Sequence, residues 1–184
     1  MDRKTYFFQP EKKLMNQGLF LQDEQKNVVY EAKCLKAPLF GPAVFEFVNH
    51  VSGASAQHKV GKTVTSEQTD AFGMTSITGS SFKFDDANVW KYLREKGASI
   101  ETSSPGGLLS ILFTVMTGGQ EAAVIEPAAP DGGPAVIPNG LYFNITTSED
   151  YLDLAFLAAF AIAKTDAVAT RSTTPPDLNK SDEA

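Results

Sequence analysis

Through most of the first hundred residues, apolar and polar positions alternate in short runs broken by turn formers. "TYFFQ" (5–9) and "GLFLQ" (18–22) are compact apolar runs, and "VVYEAKCL" (28–35) follows the polar turn "DEQKN" (23–27). This spacing predicts a hairpin with a five-residue loop. In "AVFEFVNH" (43–50), Val44, Glu46 and Val48 point one way and Phe45 and Phe47 the other, the period of a half-buried strand. "AQHKVGKTVTS" (56–66) and the stretch 72–85 continue the β pattern. The period then lengthens. "DDANVWKYLREKG" (85–97) opens with acids, sets Val89, Trp90 and Leu93 on one face, and ends on Arg94, Lys96 and Gly97, which predicts a short amphipathic helix. Strands resume at 98–103, 108–116, 121–126 and 141–146, interrupted by a Pro/Gly-rich loop at 127–140.

The last periodic stretch, "YLDLAFLAAFAIAKTD" (151–166), contains ten consecutive residues without a polar side chain, Leu154 to Ala163. Crossing a membrane takes about 20 apolar residues. No Lys/Arg cluster flanks this one, so a transmembrane span is excluded. Nor is there a polar stripe: Leu152, Phe156, Phe160 and Ala163 lie on one side and Leu154, Leu157 and Ile162 elsewhere. A helix apolar all round is buried all round. Leu154, Phe156, Leu157, Phe160 and Ile162 are therefore expected to form a structural core, with Thr147 and Asp150 at capping-box spacing ahead of it. Ten or eleven short strands must wall that helix in. An antiparallel sheet closed on itself does so and removes exposed edges. The expected fold is mainly β, a closed antiparallel barrel around a central hydrophobic α-helix, plus one short amphipathic helix.

Four stretches in this order, "FLQDEQKNVVYEAK" (20–33), "FEFVNHVSGASAQHKVGKT" (45–63), "FDDANVWKYLREKG" (84–97) and "GLYFNITTSEDYLDLAFLAAFAIAKTD" (140–166), resemble the tubby C-terminal-like superfamily, which includes the LURP-one-related proteins and the phospholipid scramblases. The order of features carries the resemblance, and the Gly/Pro loop departs from it. The resemblance implies about twelve strands in the barrel, a single tubby-like domain over residues 1–170 of the small stand-alone kind found in bacterial members, and a non-enzymatic binding role. Tubby-type members bind phosphoinositide head groups at a cationic barrel surface. That implies an anionic-lipid contact at Lys33, Lys36, Lys59 and Lys62, with a protein partner as the other option. The plainer account of these lysines is a solvated strand face.

Composition alters the picture in three places. Net charge is −6, which argues against nucleic acid, yet residues 1–100 carry +2 and residues 101–184 carry −8. Any anionic partner therefore meets the first half. Cys34 is the only cysteine, so disulfide and thiolate-metal chemistry are not expected, and a reducing cytoplasm is the natural compartment. The polar "RSTTPPDLNKSDEA" (171–184) is expected to be a disordered tail.

Candidate chemistry is sparse, and no catalytic, cofactor or metal residue is assigned. "GKT" (61–63) lacks the earlier glycine and the following helix of a phosphate loop. His50 and His58 are read as solvent-facing strand residues, Cys34 as a half-buried strand residue, and Asp85 and Asp86 as N-terminal caps of the short helix. Two further readings stand beside the binding domain: a small enzyme with a cleft at the barrel end, and a membrane-associated scramblase-like protein. An enzyme needs a pocket with at least two titratable groups within hydrogen-bond reach. A barrel filled by its helix is expected to leave none.

Overall fold

The computed structural model describes residues 2–11, 18–38, 41–69, 75–85, 87–105, 111–135 and 142–164, with backbone alone at 62–69, 75–82 and 87–90. The expected tail at 171–184 lies outside the described residues. The strands are β1 (Lys4–Pro10), β2 (Leu19–Gln22), β3 (Val28–Lys36), β4 (Ala43–Asn49), β5 (Ser55–Thr69), β6 (Thr75–Phe84), β7 (Ala87–Asn88), β8 (Ala98–Ser103), β9 (Leu112–Thr117), β10 (Gln120–Pro127) and β11 (Phe143–Thr147). Helix α1 (Val89–Glu95) separates β7 from β8, and α2 (Leu152–Lys164) follows β11 through one 3-10 turn, Glu149–Tyr151.

All ladders are antiparallel, in the order β7-β6-β5-β4-β3-β2-β1-β11-β10-β9-β8. Alternation sets the faces as expected. Phe45 and Phe47 are buried, and Val44, Glu46 and Val48 lie on the other face. The turn between β2 and β3 is held by Asp23, whose carboxylate accepts from the backbone N–H of Asn27 at 2.8 Å and from its side chain at 3.0 Å. These bonds hold the Asp23 carboxyl below its usual range.

Two expectations need correction. Among the described residues the sheet has ten strands of four residues or more plus the two-residue β7, not twelve. Nor is it closed: β7 and β8 are its ends, and no ladder joins them among the described residues. β7 is too short to offer β8 an edge. Instead α1 stands at the seam, packed against β6, β7, β8 and α2. There it buries Leu93 and stops at Gly97, whose φ of 76° suits the residue after a helix and whose N–H bonds the Arg94 carbonyl at 2.8 Å.

Helix α2 lies in the concavity of this open sheet. Leu152, Ala155, Phe156, Ala158, Ala159, Phe160, Ala161 and Ile162 are all fully buried. Phe156 meets Phe8, Tyr30 and Phe47, and Phe160 meets Phe45, Phe47 and Phe84, with ring centroids 4.3–6.0 Å apart. The helix backbone approaches β10 and β11 as well. It therefore touches both halves of the sheet. Among the described residues no helix is long and apolar enough to cross a membrane. The capping box does not form: the Thr147 hydroxyl donates to the Ala122 carbonyl at 2.8 Å, and Ser148 makes no side-chain cap.

Candidate functional site

One stripe of α2 is not covered. Asp153 is exposed and Leu154 and Leu157 are half-buried, so two of the five expected core residues face outward while Phe156, Phe160 and Ile162 are enclosed. At about 100° per residue these three fall on one side of the helix, bordering the face that carries its phenylalanines. Over them opens a cleft of about 500 Å³. Its other walls are Tyr30 of β3, Phe47 of β4, the Ala54–Ala56 stretch entering β5, His58, Tyr92 and Lys96 at the end of α1, Thr117 at the end of β9, and Tyr151. The volume is within the range of small-ligand sites, and the walls are predominantly apolar and aromatic.

Two pairs of polar groups stand at this cleft. The first joins Tyr30 to Asp153. Burial, then the neighbouring Asp153 carboxylate, pushes the Tyr30 hydroxyl far above its ordinary range, so it stays protonated beside that carboxylate. The same carboxylate accepts from Asn49 Nδ2 at 3.2 Å. Asn49 is buried, and its Oδ1 accepts from the N–H groups of Val51 and Ser52 at 3.0 and 3.1 Å. One amide thus shapes the β4–β5 turn and anchors the start of α2. The position of Asp153 in the first turn of α2 suits a negative charge.

The second pair joins His58 to Asp85. His58 Nδ1 lies 2.7 Å from one Asp85 oxygen, and the Lys59 N–H donates to the other at 2.8 Å. Burial opposes ionisation of Asp85, but these hydrogen bonds and the His58 charge outweigh it and hold the carboxyl below its usual value. Asp85 adopts φ 47° in the turn after β6, and its own N–H returns to the Lys59 carbonyl at 2.8 Å. The His58 ring packs edge-on against Phe47, Phe84 and Tyr92.

These contacts correct three expectations. His58 faces inward, on a strand position whose cross-strand partner is Phe45. Asp85 fixes a histidine rather than capping α1, whose first turn contains no acid; Asp86 lies outside the described residues. The interior also leaves a cleft with titratable groups, at the end of the helix rather than within the sheet. The clue was parity: His58 and Val60 share a face, and Val60 is buried.

The structure describes the side chains of three of the four lysines. Lys33 pairs with Glu31 at 2.9 Å, and the same carboxylate takes His50 Nε2 at 2.7 Å, so the exposed His50 has an acidic partner. Burial alone would raise the Glu31 pKa; its hydrogen bonds and charge contacts with Lys33 and His50 lower it. Lys36 and Lys59 both sit opposite Val44, one on each side of β4. Lys62 pairs with Phe82 in the β5–β6 ladder, and its side chain lies outside the described residues. Cys34 is half-buried, as expected. Among the described residues no group of three His, Cys, Asp or Glu could hold a metal ion.

Comparison with family models and with curated proteins finds no match for this chain.

Proposed function

We propose that this chain is a binding domain that takes a small, largely apolar ligand in the cleft beside α2. The observation that carries this reading is the uncovered stripe of an otherwise enclosed helix: Leu154 and Leu157 form an apolar floor beneath Phe47, Tyr92 and Tyr151. Such a floor is usually covered by a neighbouring strand. The tubby-like resemblance supports a non-enzymatic role, through its order of strands, short helix and terminal buried helix. The test is titration with Nile red, a neutral apolar dye. Its fluorescence should rise in the presence of the folded chain and fall back in Leu157→Lys. Equal fluorescence with both proteins would refute the assignment.

Two subordinate readings rest on specific observations. His58, oriented by Asp85, has the arrangement of a general base, which favours catalysis. Among the described residues, however, His58 hydrogen-bonds only Asp85 and no serine, threonine or cysteine. Lys36 and Lys59 flank Val44 on the outer face and make no ion pair among the described residues, which favours an anionic lipid surface there. Binding to anionic vesicles that weakens with salt and with Lys36→Glu and Lys59→Glu would support that reading, and no binding at low salt would end it.

A further inference from the structure

The chemistry of the cleft walls restricts the ligand beyond "apolar". Four aromatic rings, Tyr30, Phe47, Tyr92 and Tyr151, line it together with His58. Such rings present negative faces to a cation within about 6 Å. The Lys96 ammonium already lies 5.5 Å from the centre of the Tyr92 ring, so this wall accommodates a cationic head. Across the cleft, Asp153 has neutral neighbours, Tyr30 and Asn49, and forms no ion pair among the described residues. Tyr30 cannot add a negative charge, because it stays protonated. Among the described residues, the charged groups lining the cleft are Asp153 and Lys96, with Asp85 paired to His58. The neighbours of the Asp153 carboxylate are an amide and a phenol, and among the described residues no cation pairs with it.

We infer that the cleft selects an organic cation: a small molecule with an apolar or aromatic body and an ammonium head placed between Asp153 and the tyrosine rings. The inference rests on the cleft being a ligand site at all. Lys96 is a movable competitor for that position. Removing it should strengthen binding, whereas removing Asp153 should weaken it.

The experiment compares three probes with one body and different heads, phenethyltrimethylammonium, phenethyl alcohol and phenethyl sulfate, by titration calorimetry on the full chain. The cation should bind about tenfold tighter than the alcohol, and the sulfate weakest. Asp153→Asn should remove most of that preference without weakening the alcohol, and Lys96→Gln should increase it. Tyr92→Leu keeps the apolar wall but loses the ring, and should lower affinity for the cation alone. Circular dichroism on each variant establishes that it is folded. If the alcohol or the sulfate binds as tightly as the cation, selectivity for cations is overturned while the ligand site stands. If none of the three binds at millimolar concentration, the cleft reading falls and takes this inference with it.

Discussion

The two sides of α2 solve the same burial problem by opposite means. On one side Phe156 and Phe160 reach across to five aromatic residues on β1, β3, β4 and β6. On the other, at about 100° per residue, lie Ala155, Ala158 and Ile162. The helix backbone also approaches β10 and β11, where Ala122 and Ala123 are buried. A helix set off-centre in a curved sheet leaves a wide gap on one side and a narrow one on the other. Large rings fill the wide gap, and small side chains permit the narrow one. The aromatic side is limited by volume lost, the alanine side by volume gained.

Charge on the alanine side should be the most damaging change. Ala158→Glu places a carboxylate in an apolar enclosure with no partner, so the variant should be unfolded or insoluble by circular dichroism and sedimentation. Next come Phe156→Ala and Phe160→Ala, each expected to cost about 3–5 kcal/mol by urea denaturation through lost burial and a cavity. Their counterpart, Ala158→Leu, should cost about 1–3 kcal/mol by overpacking. A stabilised Ala158→Leu would erase the difference between the two sides, because it would mean empty space beside Ala158. Asn49→Ala lies outside both sides and should also cost about 1–3 kcal/mol, since it strands two turn N–H groups and loosens Asp153.

The smallest effect is that of pH. Asp85 and Glu31 both have folded pKa values below their ordinary ones. Each therefore contributes stability that is fully present above the unfolded value of about 4 and is lost as pH falls through the folded value. Both sites are partly open to solvent, so each should contribute no more than about 1 kcal/mol. Removing the acid's partner, in His58→Phe, should flatten the melting-temperature profile between about pH 5 and 3. An unchanged profile would show that the His58–Asp85 contact does not hold the carboxylate down.

The aromatic side was legible in the sequence and the cleft was not. Strand alternation put Phe45 and Phe47 together on one face, which is the buried one, and the absence of a polar stripe identified α2 as buried. The same logic misplaced Leu154 and Leu157, because hydropathy cannot distinguish an apolar residue covered by a strand from one that floors a cleft. Closure of the sheet was inferred from the need to cover a helix all round, but α1 and the open stripe share that task. Asp85 looked like a helix cap by position. What decides its role is a positive-φ turn that aims it back at β5, and only the register of β5 against β6 reveals that.

The central claim is that α2 is the core of the sheet rather than an appendage to it. Hydrogen exchange of the α2 backbone amides in the full-length chain tests it most directly. If the helix is enclosed, the amides of Phe156 to Ile162 should exchange only through global unfolding, as slowly as the most protected amides of β1 and β11. Exchange of the helix many-fold faster than those strands would mean that it leaves the sheet while the strands stay folded, and would contradict the account.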